Sequence, residues 1–340
     1  MKKPLQIVGS GLVTSVGLSA AAAAAAIRAA VSNAQLTRFM DWGGEWIAAH
    51  VVPIEAPNPR AKLLQMAATA IGECLASVAR ESSKGTALVL CLPEPARPST
   101  GHEVGESAVA ELSDMVGADF SAHSSTIAAG RVGGFVALHR ARTLLYEGNA
   151  DAVLVAGVDS YVNWPALSHF ENRYRLLTSK NSDGFLPGEA AAAVMVTRPV
   201  AGTALRCDGL GFAKESATVD ASVPLRADGL VEAIRAAARD ADCGPQDFDL
   251  RITALSGEQY YFKEAALAMA RLIRDPMAEA ELWHPADCVG EVGAAAGPLA
   301  MTVAAIACAK GYAPATRILC HLSNDGAERS AAFFSYGMLQ

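Results

Sequence analysis

Ser124 and Ser125 are the side chains in this 340-residue chain with the plainest chemistry to weigh. They stand beside His123, just ahead of a predicted helix. A serine hydroxyl there suits acyl transfer or hydrolysis when a histidine serves as its base. His123 serves that role poorly, because adjacent residues in extended chain point to opposite sides. The competing reading is that the two serines cap the helix that starts near residue 128. His284 and His321 flank apolar runs, and each reads as a surface or core histidine. Seven cysteines are scattered at positions 74, 91, 207, 243, 288, 308 and 320, with no CxxC pair. No His, Cys and Asp cluster has metal-ligand spacing, and no metal or cofactor is expected. An odd cysteine count in a long chain predicts a reduced, cytoplasmic protein.

The elements around the serines follow from hydrophobic periodicity. Residues 124–160 read as a tight turn, a helix with Val132, Phe135, Val136, Leu138, Leu144 and Leu145 on its core face, and a buried strand over 152–158. Gly148-Asn149 ends the helix. Upstream, residues 5–8 predict a strand, followed by a turn at Gly9-Ser10-Gly11 and an alanine-rich helix to about residue 30. Residues 46–52 read as an edge strand, 61–81 and 105–115 as helices, and 86–92 as a buried strand. A strand over 190–196 closes the first half. After a break at 199–204 the same grammar repeats. Strands are expected over 205–212, 250–255, 318–322 and 331–336, and helices over 229–241, 260–273 and 294–310. Alternating strands and helices predict an α/β protein with largely parallel pairing. Two similar halves are expected, residues 1–200 and 201–340, fused into one globular unit.

Composition narrows the function. Half of the chain is hydrophobic (51%), enough for a large core, and the formal charge is −7. Nucleic-acid binding usually leaves a basic footprint, so it is not expected. The apolar run over 18–27 is shorter than the roughly 20 residues that span a bilayer. No membrane span or signal peptide is predicted.

Four motifs in order resemble the β-ketoacyl synthases of the thiolase-like superfamily. Ser125-Thr126-Ile127-Ala128-Ala129-Gly130 resembles their nucleophile segment, T-A-C-A-x-G. The run from Ile7 to Gly17 resembles V-x-G-x-G-x-V-T-x-x-G, and the run from Asp183 to Ala191 resembles D-G-F-x-x-G-E-G-A. Gly293-Ala294-Ala295-Ala296-Gly297 resembles the G-A-A-G of the C-terminal half. The resemblance implies a five-layered αβαβα fold, in which two sheets sandwich central helices.

The resemblance also says which chemistry has gone. The family uses a cysteine thiolate at a helix N-terminus, with two histidines beside it. The cysteine position holds Ile127. The histidine of A-H-G-T-G-T falls on Leu255, and that of G-H-x-x-G-A-A-G on Glu291. The gating motif G-F-G-G-x-N is replaced near Leu322-Ser323-Asn324-Asp325-Gly326. Condensation by the family mechanism is therefore not expected. The implied pocket is lined by Ile127, Arg131, Leu255, Glu291 and His321, and the implied structural motif is Asp183, Gly188 and Glu189. A buried Glu291 needs a partner, for which Arg131 or His321 is at hand. The aromatic group Tyr161, Trp164, Phe170 and Tyr174 suits core packing, an acyl channel or a dimer contact.

Three functions stay open. The first is a non-condensing partner or scaffold subunit, like a chain-length factor. It would be a homodimer or pair with an active ketosynthase, with an acyl carrier protein as a further partner. The second is an acyltransferase or hydrolase using Ser124, Ser125 or Glu291. The third is an acyl-chain or small-molecule binder.

Overall fold

The computed structural model describes residues 2–78, 85–98, 104–273 and 280–339. The first half contains β1 (Leu5–Thr14), α1 (Ala20–Arg28), β2 (Gln35–Met40), β3 (Trp46–Ala49), α2 (Pro59–Ala76) and β4 (Ala87–Leu92). It continues with α3 (Ala108–Val116), β5 (Ser125–Ala128), α4 (Gly133–Tyr146), β6 (Ala152–Ser160), α5 (Trp164–Glu171) and β7 (Glu189–Thr197). The second half contains β8 (Gly202–Lys214), α6 (Asp228–Ala241), β9 (Leu250–Thr253), α7 (Gln259–Leu272) and β10 (Glu281–Trp283). It ends with α8 (Ala286–Val289), α9 (Ala296–Ala309), β11 (Arg317–Ser323) and β12 (Glu328–Leu339).

The halves repeat one strand order. Ten strands run β10-β9-β11-β12-β8-β1-β7-β6-β4-β5, so β5-β4-β6-β7-β1 of one half mirrors β10-β9-β11-β12-β8 of the other. The expected two sheets are thus hydrogen-bonded into one, through a short antiparallel pairing of Leu5, Gln6 and Ile7 with Cys207, Arg206 and Leu205. Side-chain alternation builds the layers. On β4 and β6, Val89, Cys91, Val153 and Val155 enter a central core shared with α4 and α9. Leu88, Leu90, Leu154 and Ala156 enter an outer core covered by α2 and α3. In the second half α6 and α7 cover the opposite outer face with Leu319, Ala331 and Phe333. The result is a five-layered αβαβα sandwich.

The central helices meet at glycine. A Cβ on Gly134 would stand 2.9 Å from Gly297 Cα and 2.7 Å from Pro298 Cδ. Only backbones without side chains approach this closely. Polyalanine α1 has an N-cap Ser19 that accepts from Ala22 N, and its small side chains let it lie against α9.

Several expected boundaries moved. Gly9-Ser10-Gly11 makes no turn; β1 runs straight through it to Thr14. A Cβ at Gly11 would lie 1.9 Å from Ala70 O, so the glycine is there to let α2 approach. Of the strand expected over 46–52, only Trp46–Ala49 forms as β3, which pairs with β2 in a separate two-stranded ribbon. The expected end of the helix over 61–81 lies outside the described residues. No helix among the described residues is long and apolar enough to cross a membrane.

Candidate functional site

Ser125–Ala128 is a strand, not the lead-in to a helix. It pairs in parallel with β4, matching Ile127 to Cys91. The two serines therefore cap nothing. Ser124 Oγ instead accepts from Leu88 N at 2.9 Å and donates to Ser121 O at 2.7 Å. His123 is exposed to solvent. Ile127 is half buried and packs on the central core. After β5 the chain turns through a 3-10 segment, Gly130–Val132, and enters α4.

The second half repeats this construction. A 3-10 segment, Gly293–Ala295, leads into α9. Gly130 and Gly293 hold φ of +55° and +49°, the left-handed region that glycine adopts most cheaply. At Gly293 a Cβ would also fall 2.0 Å from Asp159 Oδ2.

Both helix starts point their N–H groups at the chain's own acceptors. Val132 N donates to Asn324 Oδ1 at 3.3 Å, and Asn324 Nδ2 donates to Ala129 O at 3.0 Å. Gly293 N donates to Glu291 Oε1 at 2.9 Å, and Ala294 N to Asp159 Oδ2 at 2.9 Å. These donors are the kind that stabilise an oxyanion when left open. Here they are filled.

A buried ionic network closes the space between them. Arg131 Nε donates to Glu291 Oε2 at 2.9 Å, and Arg131 Nη1 to Asp325 Oδ1 at 2.7 Å. Ser256 Oγ donates to the same Glu291 oxygen at 2.9 Å. Tyr261 Oη donates to Asp325 Oδ1 at 2.5 Å, and the Arg131 guanidinium lies over the Tyr261 ring at 5.2 Å. Arg175 extends the chain of charges. It forks onto Glu258 at 2.6 and 2.8 Å and onto Asp325 at 2.7 and 3.0 Å. Arg131 and Glu291 are each 2% exposed, so this pair is cut off from water. Burial pushes the Asp325 carboxyl up, but Arg131 and Arg175 outweigh burial and hold it well below the usual carboxylate range. Arg131 Nη2 alone finds no protein partner.

The structure brings Arg131, Leu255, Glu291 and His321 around one void, with Tyr261 and Glu264. Ile127 is not part of that lining. The void is about 10 Å³, barely one water. His321 does not reach Glu291: its Nε2 has no protein partner. Burial, then the nearby Arg251, pushes its pKa down to about 3. Leu255 packs with Tyr261 and Ala265. Glu264 pairs with Arg329 at 2.6 Å and accepts from Ser323 Oγ at 2.7 Å.

The D-G-F loop frames the site without touching the void. Asp183 Oδ1 accepts from Gln259 N at 2.7 Å, at the start of α7. Gly188 N donates to Glu291 O at 2.9 Å, which fixes the backbone that carries Glu291. Glu189 accepts from Lys62 at 2.6 Å, Ser160 Oγ at 2.9 Å and Val52 N at 3.0 Å. Tyr161 and Phe170 pack with Phe185, whereas Trp164 and Tyr174 are exposed. A much larger cleft, about 690 Å³, lies elsewhere, between β2, the start of α2 and the end of β6.

Sequence reasoning missed Asp325, Arg175, Glu258, Tyr261 and Ser256. Asp325 carried a signal, since it stands in the segment that replaces the glycine-rich gate. Arg175 and Glu258 carried none, because they lie far apart in the chain and meet only through the fold. Among the described residues no group of His, Cys, Asp and Glu is arranged to hold a metal ion. The thiol nearest β5, Cys91, is fully buried, and burial pushes its pKa up to about 12.

Residues 64–200 match the family model described as Beta-ketoacyl synthase, N-terminal domain. No curated protein matches the sequence significantly. Solved structures match over nearly the whole chain. "The ishigamide ketosynthase/chain length factor" superposes with a TM-score of 0.80 at 16% identity, covering 99% of this chain and 100% of that one. A ketosynthase, ApeO, in complex with its chain length factor, ApeC, from Xenorhabdus doucetiae gives a TM-score of 0.72 at 12% identity, covering 98% of both chains. The ketosynthase from module 6 of the bacillaene synthase of Bacillus subtilis 168 gives 0.77 at 13% identity, covering 99% of this chain and 72% of that one. The fold is thiolase-like and of the ketosynthase type.

Proposed function

We propose that this degenerate, ketosynthase-like chain is a non-condensing partner subunit that pairs with an active ketosynthase. In this reading Ile127, Leu255 and Glu291 occupy the positions of the catalytic cysteine and the two histidines. The observation that carries it is the Arg131–Glu291–Asp325 network, which fills the reaction space and leaves a void of about 10 Å³. No acyl chain fits there, and both helix N-termini are already satisfied. The likeness to ketosynthase and chain length factor structures supports the pairing. So does the position of β5 at the edge of the sheet, with one side unpaired. The acyl-transfer reading loses support because Ser124 Oγ is tied to Leu88 N and Ser121 O.

The test is tagged purification of the full chain from its native host. A ketosynthase with its cysteine intact is expected in an equimolar complex. The isolated chain is expected to form no adduct with acyl thioesters, read by intact mass. An acyl group on Ser124 or Ser125 overturns the proposal. Ile127→Cys in the isolated chain is expected to give no condensation product, because the thiol would face no histidine and no open oxyanion site.

A further inference from the structure

The cleft of about 690 Å³ beside β2 is built quite unlike the sealed site, and the two share no lining residue. Small-molecule sites have volumes of roughly 300–1,000 Å³ and combine apolar walls with a few placed polar groups. Here Leu36 and Phe39 of β2, Ile54 of the loop before α2, Leu63 of α2 and Val162 after β6 supply the apolar lining. Trp164, outside the cleft, stacks on Phe39 at 6.3 Å and fixes that wall. The polar lining includes Lys62, Ser160, Asn163 and Glu189. The last three are buried, at 6%, 5% and 4% exposure, so polar groups were taken out of water to build this floor.

Most of their hydrogen-bonding capacity is spent inside the chain. Glu189 Oε2 accepts from Lys62 Nζ at 2.6 Å and from Val52 N at 3.0 Å, and Oε1 accepts from Ser160 Oγ at 2.9 Å. Ser160 Oγ accepts in turn from Val162 N at 3.1 Å. Asn163 Oδ1 accepts from Ala166 N at 3.0 Å, and its Nδ2 donates to Ser160 O at 2.8 Å. What is left over is chiefly N–H. The Lys62 ammonium carries three and the Asn163 amide two, and each gives one away in these contacts. The Lys62 side chain is 18% exposed, which keeps it within reach of a ligand. Its charge is already balanced by Glu189, and at the rim the exposed Arg38 and Glu55 are of opposite sign.

This balance selects the ligand. A carboxylate at Lys62 would stand beside Glu189, and an ammonium would meet Lys62 itself; both juxtapositions cost energy. A neutral oxygen acceptor meets donors without adding a charge. We propose that the cleft binds a neutral, largely apolar molecule whose carbonyl oxygen, of a ketone or amide, accepts from Lys62. The proposal does not rest on the partner reading, and it needs no chemistry from the sealed pocket.

Prodan, a neutral naphthyl ketone, tests it with the full chain. Its emission moves to the red when its carbonyl accepts a hydrogen bond and to the blue when that bond is lost. Saturable binding of one prodan per chain is expected. Leu36→Asp changes a position 68% exposed and removes an apolar wall, so it is expected to leave the melting curve unchanged and to weaken Kd about tenfold. Lys62→Met/Glu189→Gln removes the donor without leaving a buried charge, and its melting curve checks that it folds. It is expected to weaken Kd by up to about tenfold and to shift the bound probe's emission to the blue. The matching naphthoate, with a carboxylate in place of the ketone, is expected to bind more weakly than prodan. No binding of prodan overturns the proposal, as does binding that ignores Leu36→Asp. Unshifted emission in the double variant, or a naphthoate that binds more tightly than prodan, overturns it too.

Discussion

The candidate site and the β5 edge are finished in opposite ways. Inside, the main charged groups are matched to one another within the chain: Arg131 to Glu291 and Asp325, Arg175 to Glu258 and Asp325, and Gly293 N to Glu291. Outside, strand β5 ends the ten-stranded sheet with one side open. A site kept for chemistry holds its unsatisfied groups in a pocket. Here the longest unpaired row lies on an edge, while the pocket keeps a few unmatched atoms such as Arg131 Nη2 and His321 Nε2. On the partner reading proposed above, the contrast favours the surface over the pocket as the place of interaction.

The largest effect should come from breaking the inside. Arg131→Met leaves Glu291 and Asp325 buried without their shared cation. Removing one member of a buried pair costs about 3–5 kcal/mol. Chemical denaturation should show that loss as a lower midpoint with little change in slope. Replacing the acids as well, in Arg131→Met/Glu291→Gln/Asp325→Asn, should restore part of it, because no uncompensated charge is left. A single variant as stable as wild type would mean that the network does not hold the site closed.

A second handle is pH. His321 is buried near the same void, and burial with Arg251 holds its pKa at about 3, against an ordinary value of about 6.5. Between those values the unfolded chain binds a proton that the folded chain refuses. Stability therefore rises with pH across that window and is lost as pH falls through it, by up to about 1.4 kcal/mol per pH unit for this group. His321→Leu should flatten that slope between about pH 6 and pH 4. Asp325 works further down. Its folded pKa is depressed, so the stability it contributes is present above the ordinary carboxylate range and is lost as pH falls below it. A variant with an unchanged slope would show that His321 is protonated in the fold and that the site admits water.

Much of the fold was legible in the chain because its signals are local. Apolar runs over 152–158 and 190–196 read as strands, and both lie buried within β6 and β7. Gly9 and Gly11 misled, because a glycine read alone suggests a turn and only the approach of α2 shows what it is for. Strand β5 was missed for a related reason: four residues, Ser125 to Ala128, are too few to show a period, and pairing with β4 decides their state. At the site, Glu291 was legible as a carboxylate in need of a partner. Its full set of neighbours was not, because Arg131, Ser256 and Asp325 come from three different strand ends.

Asp183 gives the smallest and cleanest test of how the inside is held. The start of α7 lacks a cap from its own N-cap residue, Glu258, whose side chain is turned to Arg175 instead. Asp183, 76 residues earlier, accepts from Gln259 N at 2.7 Å. It thus supplies the missing cap from another loop and frees Glu258 for the network. Losing a cap of this kind costs about 1 kcal/mol. Asp183→Ala should lower thermal stability by that amount, and Asp183→Asn should keep most of it, since the amide oxygen still accepts. Strand β5 shares no residue with this loop. Association through β5 should therefore be unchanged in both variants. If Asp183→Ala weakened that association as much as the fold, site and edge would be coupled, and the division between a sealed interior and an open edge would have to be given up.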